Sequence, residues 1–595
     1  MGCAAASLRG ILGLGRLMEH PTIDIDADDR YGSIKMGEDR VDTVNTVKMS
    51  VSVLGAAQPE SLVSTQELQA LALSNNLTIP ASELSDWSVL LSGLNHCAKE
   101  ILQIPDYYTA VDLDLYPRTN IHRPTTPEST DHGGWAWRVD LKCTKPKSAQ
   151  LEGRSVAIKD NVAVQGVRCT NGTGTGEGDW VPNVDATVVT RILDAGGFIK
   201  GKAACENCCF GAVSDTSVTG PVHNPYAHGY STGGSSSGCG RLLASGTVDL
   251  AIGADQGGSI RLPSANCGVV GLKPTWGLVP YTGCISLEAT IDHVGPMART
   301  VQDCATLLEV IAGNDGIDDR QPHDWIHGHV KFGEEIKKWV ERDTDLPLKG
   351  IKVGILKEGF EDPMTDPNVA IASRTAVSKL TELGAEIKEI TIPLHRDSGM
   401  IWMVSLPMAG TTQGLLANPT GRRQLLFPDR AEKIGARLSQ EAFDAMGPGG
   451  QNVYLRGLFL QQRFGSPLHA RCTNLLRKLN DEYERAFRDV DVLVMPTIIF
   501  PPTKIEEKGG RTLGPLKMLS RTIGATYNTA TFDSTGHPAL SLPVGFVPAR
   551  DDREVWLPTG LQVVGRKWED LMCLKVAASW EGANDWKKMK YGGGA

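Results

Sequence analysis

The sequence predicts an α/β fold, a sheet covered by helices on both faces, with a helical region added in front of it. Two observations carry this expectation. From Trp135 onward, short apolar runs alternate with stretches of helical periodicity, the pattern left by strands that are each followed by a covering helix. Ahead of that point the clearest signal is a helix start. Ser64-Thr65-Gln66-Glu67 is a capping box, in which the serine hydroxyl and the glutamate carboxylate each satisfy an end amide of the helix they begin.

Taken in order, residues 1–60 are mixed and polar, and the isoleucines and valines among them follow no period. Leu68, Leu71 and Leu73 then form a short helix. A second starts at Ser82, where Leu84, Trp87, Leu90, Leu91, Leu94, Ala98, Ile101 and Leu102 recur at spacings of three and four, so one face is apolar. That face is expected either to pack on the rest of the protein or to join copies of the chain. Beyond Trp135, strands are expected at 156–158, 198–202 and 248–252, with a helix over 186–195. The polar stretch 320–345 reads as a surface insertion. A strand at 351–356, a helix at 371–383 and a strand at 387–392 then resume the pattern. Residues 400–475 read as helices around a Gly-Pro-Gly-Gly loop at 447–450, and 492–495 and 539–544 as the last core strands. This divides the chain into a largely helical region, 1–130, and a catalytic domain, 131–590.

Composition narrows the function. A formal net charge of −9 over 595 residues leaves no basic footprint for nucleic acid or an acidic membrane. Thirteen cysteines, an odd number in no framework, read as reduced thiols in the cytoplasm. No run approaches the ~18 apolar residues of a membrane-spanning helix. The opening segment carries Arg9 and Arg16 with no acid before Glu19, and Met1-Gly2-Cys3 resembles a myristoylation start, but Ala6 stands where Ser or Thr is needed.

The chemistry concentrates between Gly233 and Pro274. Here two serines, Ser235 and Ser259, each follow a glycine, a residue that lets the backbone turn sharply and lets a substrate reach its amides. A serine hydroxyl needs a base within hydrogen-bond reach, and no histidine lies near either serine in a strong motif. Lys159 ends the apolar run Ser155-Val156-Ala157-Ile158. Burial disfavours the charged form of a lysine, and Ser-Lys pairs are a variant of the serine triad. An isolated lysine is more often a surface residue, and only the order of the motifs given next reverses that reading. Gln256, Gly257, Gly258 and Ser259 offer consecutive amides for a tetrahedral oxyanion.

Lys159-Asp160-Asn161, Gly233-Gly234-Ser235-Ser236-Ser237-Gly238, Asp255-Gln256-Gly257-Gly258-Ser259-Ile260-Arg261 and Gly271-Leu272-Lys273-Pro274-Thr275 resemble, in order and spacing, the amidase signature family. Within it the chain is most similar to the acylamide amidases that accompany nitrile hydratase. The resemblance implies a central mixed sheet covered by helices, hydrolysis of carboxamides through an acyl-enzyme, and no metal or cofactor. Ser259 would be the nucleophile, Lys159 the base and Ser235, after a cis peptide bond, the relay between them. Asp255, Arg261 and Ser236 would support the loop. Phe210 reads as a pocket aromatic or, equally, a core phenylalanine. Substrates would be small amides or, in the alternative, carbamates such as ethyl carbamate. A component that works only with partner proteins and tRNA fits the acidic charge poorly. A homodimer or larger homo-oligomer is expected. One departure stands out: Ser237-Gly238-Cys239 replaces the family's two glycines and a serine.

Three rival motifs fail. Gly234-Ser235-Ser236-Ser237-Gly238 has the spelling of a nucleophile elbow, but no hydrophobic strand precedes it. Cys205, Cys208, His223 and His228 have zinc-finger spacing, yet Pro221 and Pro225 keep the histidines off one helix. Residues 196–202 nearly spell a phosphate loop, but Ala203 stands where a Ser or Thr must bind magnesium.

Overall fold

The computed structural model describes residues 62–174, 180–418, 420–435, 437–506 and 508–592. The opening segment with Arg9, Arg16 and Met1-Gly2-Cys3 lies outside them. The chain divides into two compact units between Tyr107 and Tyr108. The first holds α1 (Thr65–Ser74) and α2 (Leu84–Gln103). The expected capping box is formed: the Glu67 amide donates to Ser64 Oγ at 3.1 Å, and Glu67 Oε2 accepts from the Ser64 amide at 2.8 Å. Leu90, Leu94, Ile101 and Leu102 of the apolar stripe stay exposed.

The second unit is built on one twelve-stranded sheet. Its strands are β1 (Arg118–His122), β2 (Trp135–Leu141), β3 (Ser155–Lys159), β4 (Phe198–Ala203), β5 (Leu250–Asp255), β6 (Val270–Lys273), β7 (His293–Ala298), β8 (Lys352–Leu356), β9 (Glu386–Ile390), β10 (Val492–Pro496), β11 (Ala539–Pro548) and β12 (Trp556–Gly565). Their order is β1-β2-β4-β3-β5-β7-β6-β11-β12-β10-β8-β9. Pairings of β3 with β4 and β5, and of β8 with β9 and β10, are parallel, and the rest are antiparallel, so the sheet is mixed. The helices are α3 (Thr187–Asp194), α4 (Ser237–Ala244), α5 (Arg261–Cys267), α6 (Val301–Ile311), α7 (Phe332–Val340), α8 (Pro367–Glu382), α9 (His395–Ala409), α10 (Pro428–Ile434), α11 (Gln440–Ala486), α12 (Pro515–Ser520), α13 (Ala530–Thr535) and α14 (Asp570–Ala583).

Strand periodicity explains why both faces are covered. Successive side chains of a strand point to opposite faces. Val156, Ile158, Leu250 and Ile252 therefore join one core with Val188 and Ile192 of α3 and Leu307 and Leu308 of α6. Ala157 and Ala251 face the other way, against Leu242 and Leu243 of α4. Such double coverage is what gives β5 its unbroken apolar run.

Two regions differ from expectation. The polar stretch 320–345 contains α7, whose Phe332 and Ile336 are buried in the main core; charge on its outer face hides an apolar stripe too short to read. The Gly-Pro-Gly-Gly segment is a break inside α11, where Gly447 takes a φ of 71°, and a second break follows at Gly465, with a φ of 64°. Among the described residues no helix is long and apolar enough to cross a membrane.

Candidate active site

Lys159 closes β3, and Asp255 closes β5, its parallel neighbour. Residues at such carboxyl ends stand where open α/β sheets gather their ligands. Lys159 shares its face with Ala157, two residues back, so it points to the side that α4 covers. Ser235 lies just before α4 begins, and Lys159 Nζ donates to its Oγ at 2.8 Å. A second proton goes to the Ala254 carbonyl at 3.1 Å. Both side chains are fully buried. No carboxylate among the described residues reaches ion-pair distance of Lys159; Asp160, its neighbour, pairs instead with Lys202 at 3.2 Å.

The Gly234–Ser235 peptide is cis. Ser236 ties the same turn to β5, its Oγ donating to the Ala254 carbonyl at 3.2 Å while its amide donates to the Ser259 carbonyl at 3.2 Å. The departure at Ser237 is absorbed by Glu206, whose carboxylate accepts from Ser237 Oγ at 2.7 Å. The glycine that follows is needed, because a Cβ on Gly238 would stand 2.3 Å from the Gly134 carbonyl.

Ser259, 9% exposed, borders a cavity of about 560 Å³. Its hydroxyl makes no hydrogen bond with a described residue, Ser235 included. The loop carrying it is held from several sides. Asp255 accepts from the amides of Gly258 at 2.5 Å and Ile260 at 2.9 Å. Thr529 Oγ1 donates to the Gly257 carbonyl at 2.6 Å, and Trp402 Nε1 to the Gln256 carbonyl at 3.0 Å. Because a peptide is planar and trans, fixing the Gln256 carbonyl also fixes the Gly257 N–H. The amides of Gln256, Gly257 and Ser259 have no acceptor among the described residues. That of Gly258 differs from expectation: it is already committed to Asp255.

Beneath the loop, Arg261 is fully buried and fully engaged. It meets Asp255 at 2.9 Å and Asp533 at 2.6 Å, and donates to Gln562 Oε1 at 2.8 Å and the Thr529 carbonyl at 3.0 Å. Two carboxylates on one guanidinium do not ionise alike. Burial would raise the Asp255 carboxyl, but the Arg261 charge outweighs it and holds Asp255 well below the usual range. Burial, and then the charge of Asp255, push Asp533 well above it. Burial likewise raises Glu206 to about 7 despite its bonds from Thr216 and Ser237.

Phe210 borders the cavity and also packs against Cys208, Met446 and Val453, so it is both a wall and a core residue. Trp402, Met403 and Leu406 of α9 and Asn452, Val453 and Arg456 of α11 continue the wall. Asp533, Thr529 and Trp402 carried no sequence signal, since each is defined by a contact across more than a hundred residues of chain. Glu206 and Gln562 had one: the stretches from Glu206 to Asn224 and from Gly560 to Gly565 also resemble the amidase signature family.

Fold and cavity together define a mixed α/β hydrolase with a largely apolar pocket, bordered by Ser259, beyond the carboxyl ends of parallel strands. The family described as Amidase matches residues 129–574. An enantioselective amidase of Rhodococcus rhodochrous is 38% identical over 79% of this chain and 88% of that protein. One subunit of the glutamyl-tRNA(Gln) amidotransferase of Synechococcus sp. (strain CC9902) is 32% identical over 73% of this chain and 83% of its own. Among solved structures, a peptide amidase from Stenotrophomonas maltophilia matches with a TM-score of 0.56 at 25% identity, covering 73% of this chain and 83% of that one. The chain belongs to the amidase family and is a C–N hydrolase acting on amides.

Proposed function

We propose that the protein hydrolyses small to medium carboxamides to a carboxylic acid and ammonia, with Ser259 as nucleophile, Ser235 as relay and Lys159 as base. One observation carries this reading: the buried 2.8 Å bond from Lys159 Nζ to Ser235 Oγ, beneath a cavity bordered by Ser259. Ser259 Oγ attacks the carbonyl carbon, its proton passes to Ser235, and the Ser235 proton passes to Lys159. The carbonyl oxygen becomes an oxyanion, for which the free amides of Gln256, Gly257 and Ser259 are the donors; losing one such donor typically slows an enzyme about 10²–10³-fold. Collapse breaks the C–N bond, the proton returns through Ser235 to nitrogen, and ammonia leaves. Water then attacks the ester by the same relay, and carboxylic acid departs. Catalytic hydrogen bonds often tighten only with substrate in place, so the Ser235–Ser259 link belongs to the substrate complex.

The names of the Rhodococcus and Stenotrophomonas proteins, both amidases, support amide cleavage here. Carbamates present the same acyl carbon, so ethyl carbamate is the runner-up substrate. The Synechococcus relative favours a further reading, a component that is active only with partners. Ammonia release by the purified chain from benzamide, propionamide and ethyl carbamate separates the three. Lys159→Ala and Ser259→Ala are expected to lower kcat on the order of 10⁴-fold or more, with a small remainder in Ser235→Ala. Full activity in Lys159→Ala sinks the relay.

A further inference from the structure

One wall of the cavity is a single face of α11. Gly449, Asn452, Val453 and Arg456 all border it, at spacings of three and four that stack side chains along one helix face. The Asn452 side chain has no hydrogen-bond partner among the described residues. Arg456 has one clear contact: Nη2 donates to the Met403 carbonyl, while Nη1 lies 4.0 Å from Met403 Sδ. The reason for that contact is local. The Met403 carbonyl would ordinarily accept from the amide four residues on, but that residue is Pro407, which has none.

This accounts for one of five guanidinium protons and leaves the charge unexplained. No carboxylate among the described residues reaches ion-pair distance of Arg456, and burial lowers its pKa with no acid acting to restore it. Arg456 is half-buried, and withdrawing a charge even partly from water with no opposite charge nearby has a cost. Arg396, on the same cavity, is by contrast paired with Glu361 and stands 3.9 Å from Glu358. Asp362 also borders the cavity, but its carboxylate accepts from the Met364 amide at 2.8 Å and does not reach Arg456.

We propose that Arg456 and Asn452 form a subsite for a carboxylate at the far end of the acyl chain, so that the preferred substrates are half-amides of dicarboxylic acids. The guanidinium fork matches two carboxylate oxygens, the Asn452 amide adds a donor, and the apolar surfaces of Trp402, Met403 and Leu406 suit the methylene chain between. Only the choice of bond to be cut rests on the amidase reading; the anion site can be tested without turnover.

The test is calorimetric titration of the full chain carrying Ser259→Ala, which leaves the ligands uncleaved, with straight-chain half-amides from succinamate to suberamate, each against the neutral monoamide of equal length. Steady-state kinetics of the unsubstituted chain on the same half-amides and neutral amides accompany it. At the best-fitting length the half-amide is expected to bind roughly tenfold more tightly than its neutral partner, or better. Arg456→Gln, which can still donate to the Met403 carbonyl, should bring that ratio near one, and Arg456→Lys should keep part of it. No preference at any length overturns the subsite, as does a preference that survives in Arg456→Gln. Should neither amide series be cleaved while the binding preference holds and is lost in Arg456→Gln, the hydrolase reading falls and the subsite stands. If Arg456→Gln fails to fold, the ratios with Arg456 intact and Asn452→Ala decide.

Discussion

Asp255 and Asp533 share one guanidinium, yet their opposite pKa shifts assign them different work. Asp255, held ionised, accepts the Gly258 and Ile260 amides that shape the turn carrying Ser259. Asp533, pushed toward its neutral form, contributes mainly shape and one hydrogen bond. Asp255→Asn should therefore cost about 3–5 kcal/mol, as expected when a buried ion pair loses one partner, and most of kcat/KM. Asp533→Asn should cost about 1 kcal/mol. Urea denaturation and amide kinetics on the two variants check this, and equal losses would contradict it. Glu206 supplies a second expectation. Its folded pKa of about 7 lies above the value of an exposed glutamate, so its stabilising contribution is complete below pH ~4.5 and fades as pH rises through 7. The loss approaches about 3 kcal/mol on the scale of 1.36 kcal/mol per pH unit. Glu206→Gln, whose amide can turn its NH₂ toward Ser237 and its oxygen toward Thr216, should flatten that slope in pH-dependent unfolding.

At the scale of elements, the site depends on how closely α9 approaches the loop after β5. A Cβ on Gly257 would stand 2.6 Å from the Trp402 ring, and the ring is itself anchored by its bond to the Gln256 carbonyl. Gly257→Ala is expected to cost about 1–3 kcal/mol of stability and a large part of kcat, whereas Gly257→Ala combined with Trp402→Phe should recover stability but not rate. Equal melting temperatures for wild type and Gly257→Ala would show that the loop yields freely. Caps remote from the cavity should behave differently. Thr300 caps α6 by accepting the Asp303 amide at 3.1 Å, so Thr300→Ala should cost about 1 kcal/mol and leave kcat unchanged. The strands were legible because alternation and double burial leave a period in the sequence; 156–158 sits inside β3 and 492–495 inside β10. The helix α7 was not, since its buried face rests on Phe332 and Ile336 amid charged neighbours.

For the whole molecule, the sheet, the cavity and every residue assigned to the proposed chemistry lie after Tyr108. A chain starting there is expected to keep kcat/KM within a few-fold of the full protein, measured by ammonia release; loss of activity with intact secondary structure would give the helical region a catalytic part. By itself the sequence determined the order of the motifs, the strand that ends in Lys159 and the two glycine-serine turns. These depend on neighbours a few residues apart, where propensity, periodicity and turn chemistry act directly. Only the tertiary structure decided that Arg261 reaches Asp533 and Gln562, that Trp402 braces the loop carrying Ser259, and that Arg456 covers a carbonyl orphaned by Pro407. Those partners are separated by up to 301 residues, and what brings them together is the pairing order of twelve strands and the packing of α9 against α11, neither of which leaves a local mark on the chain.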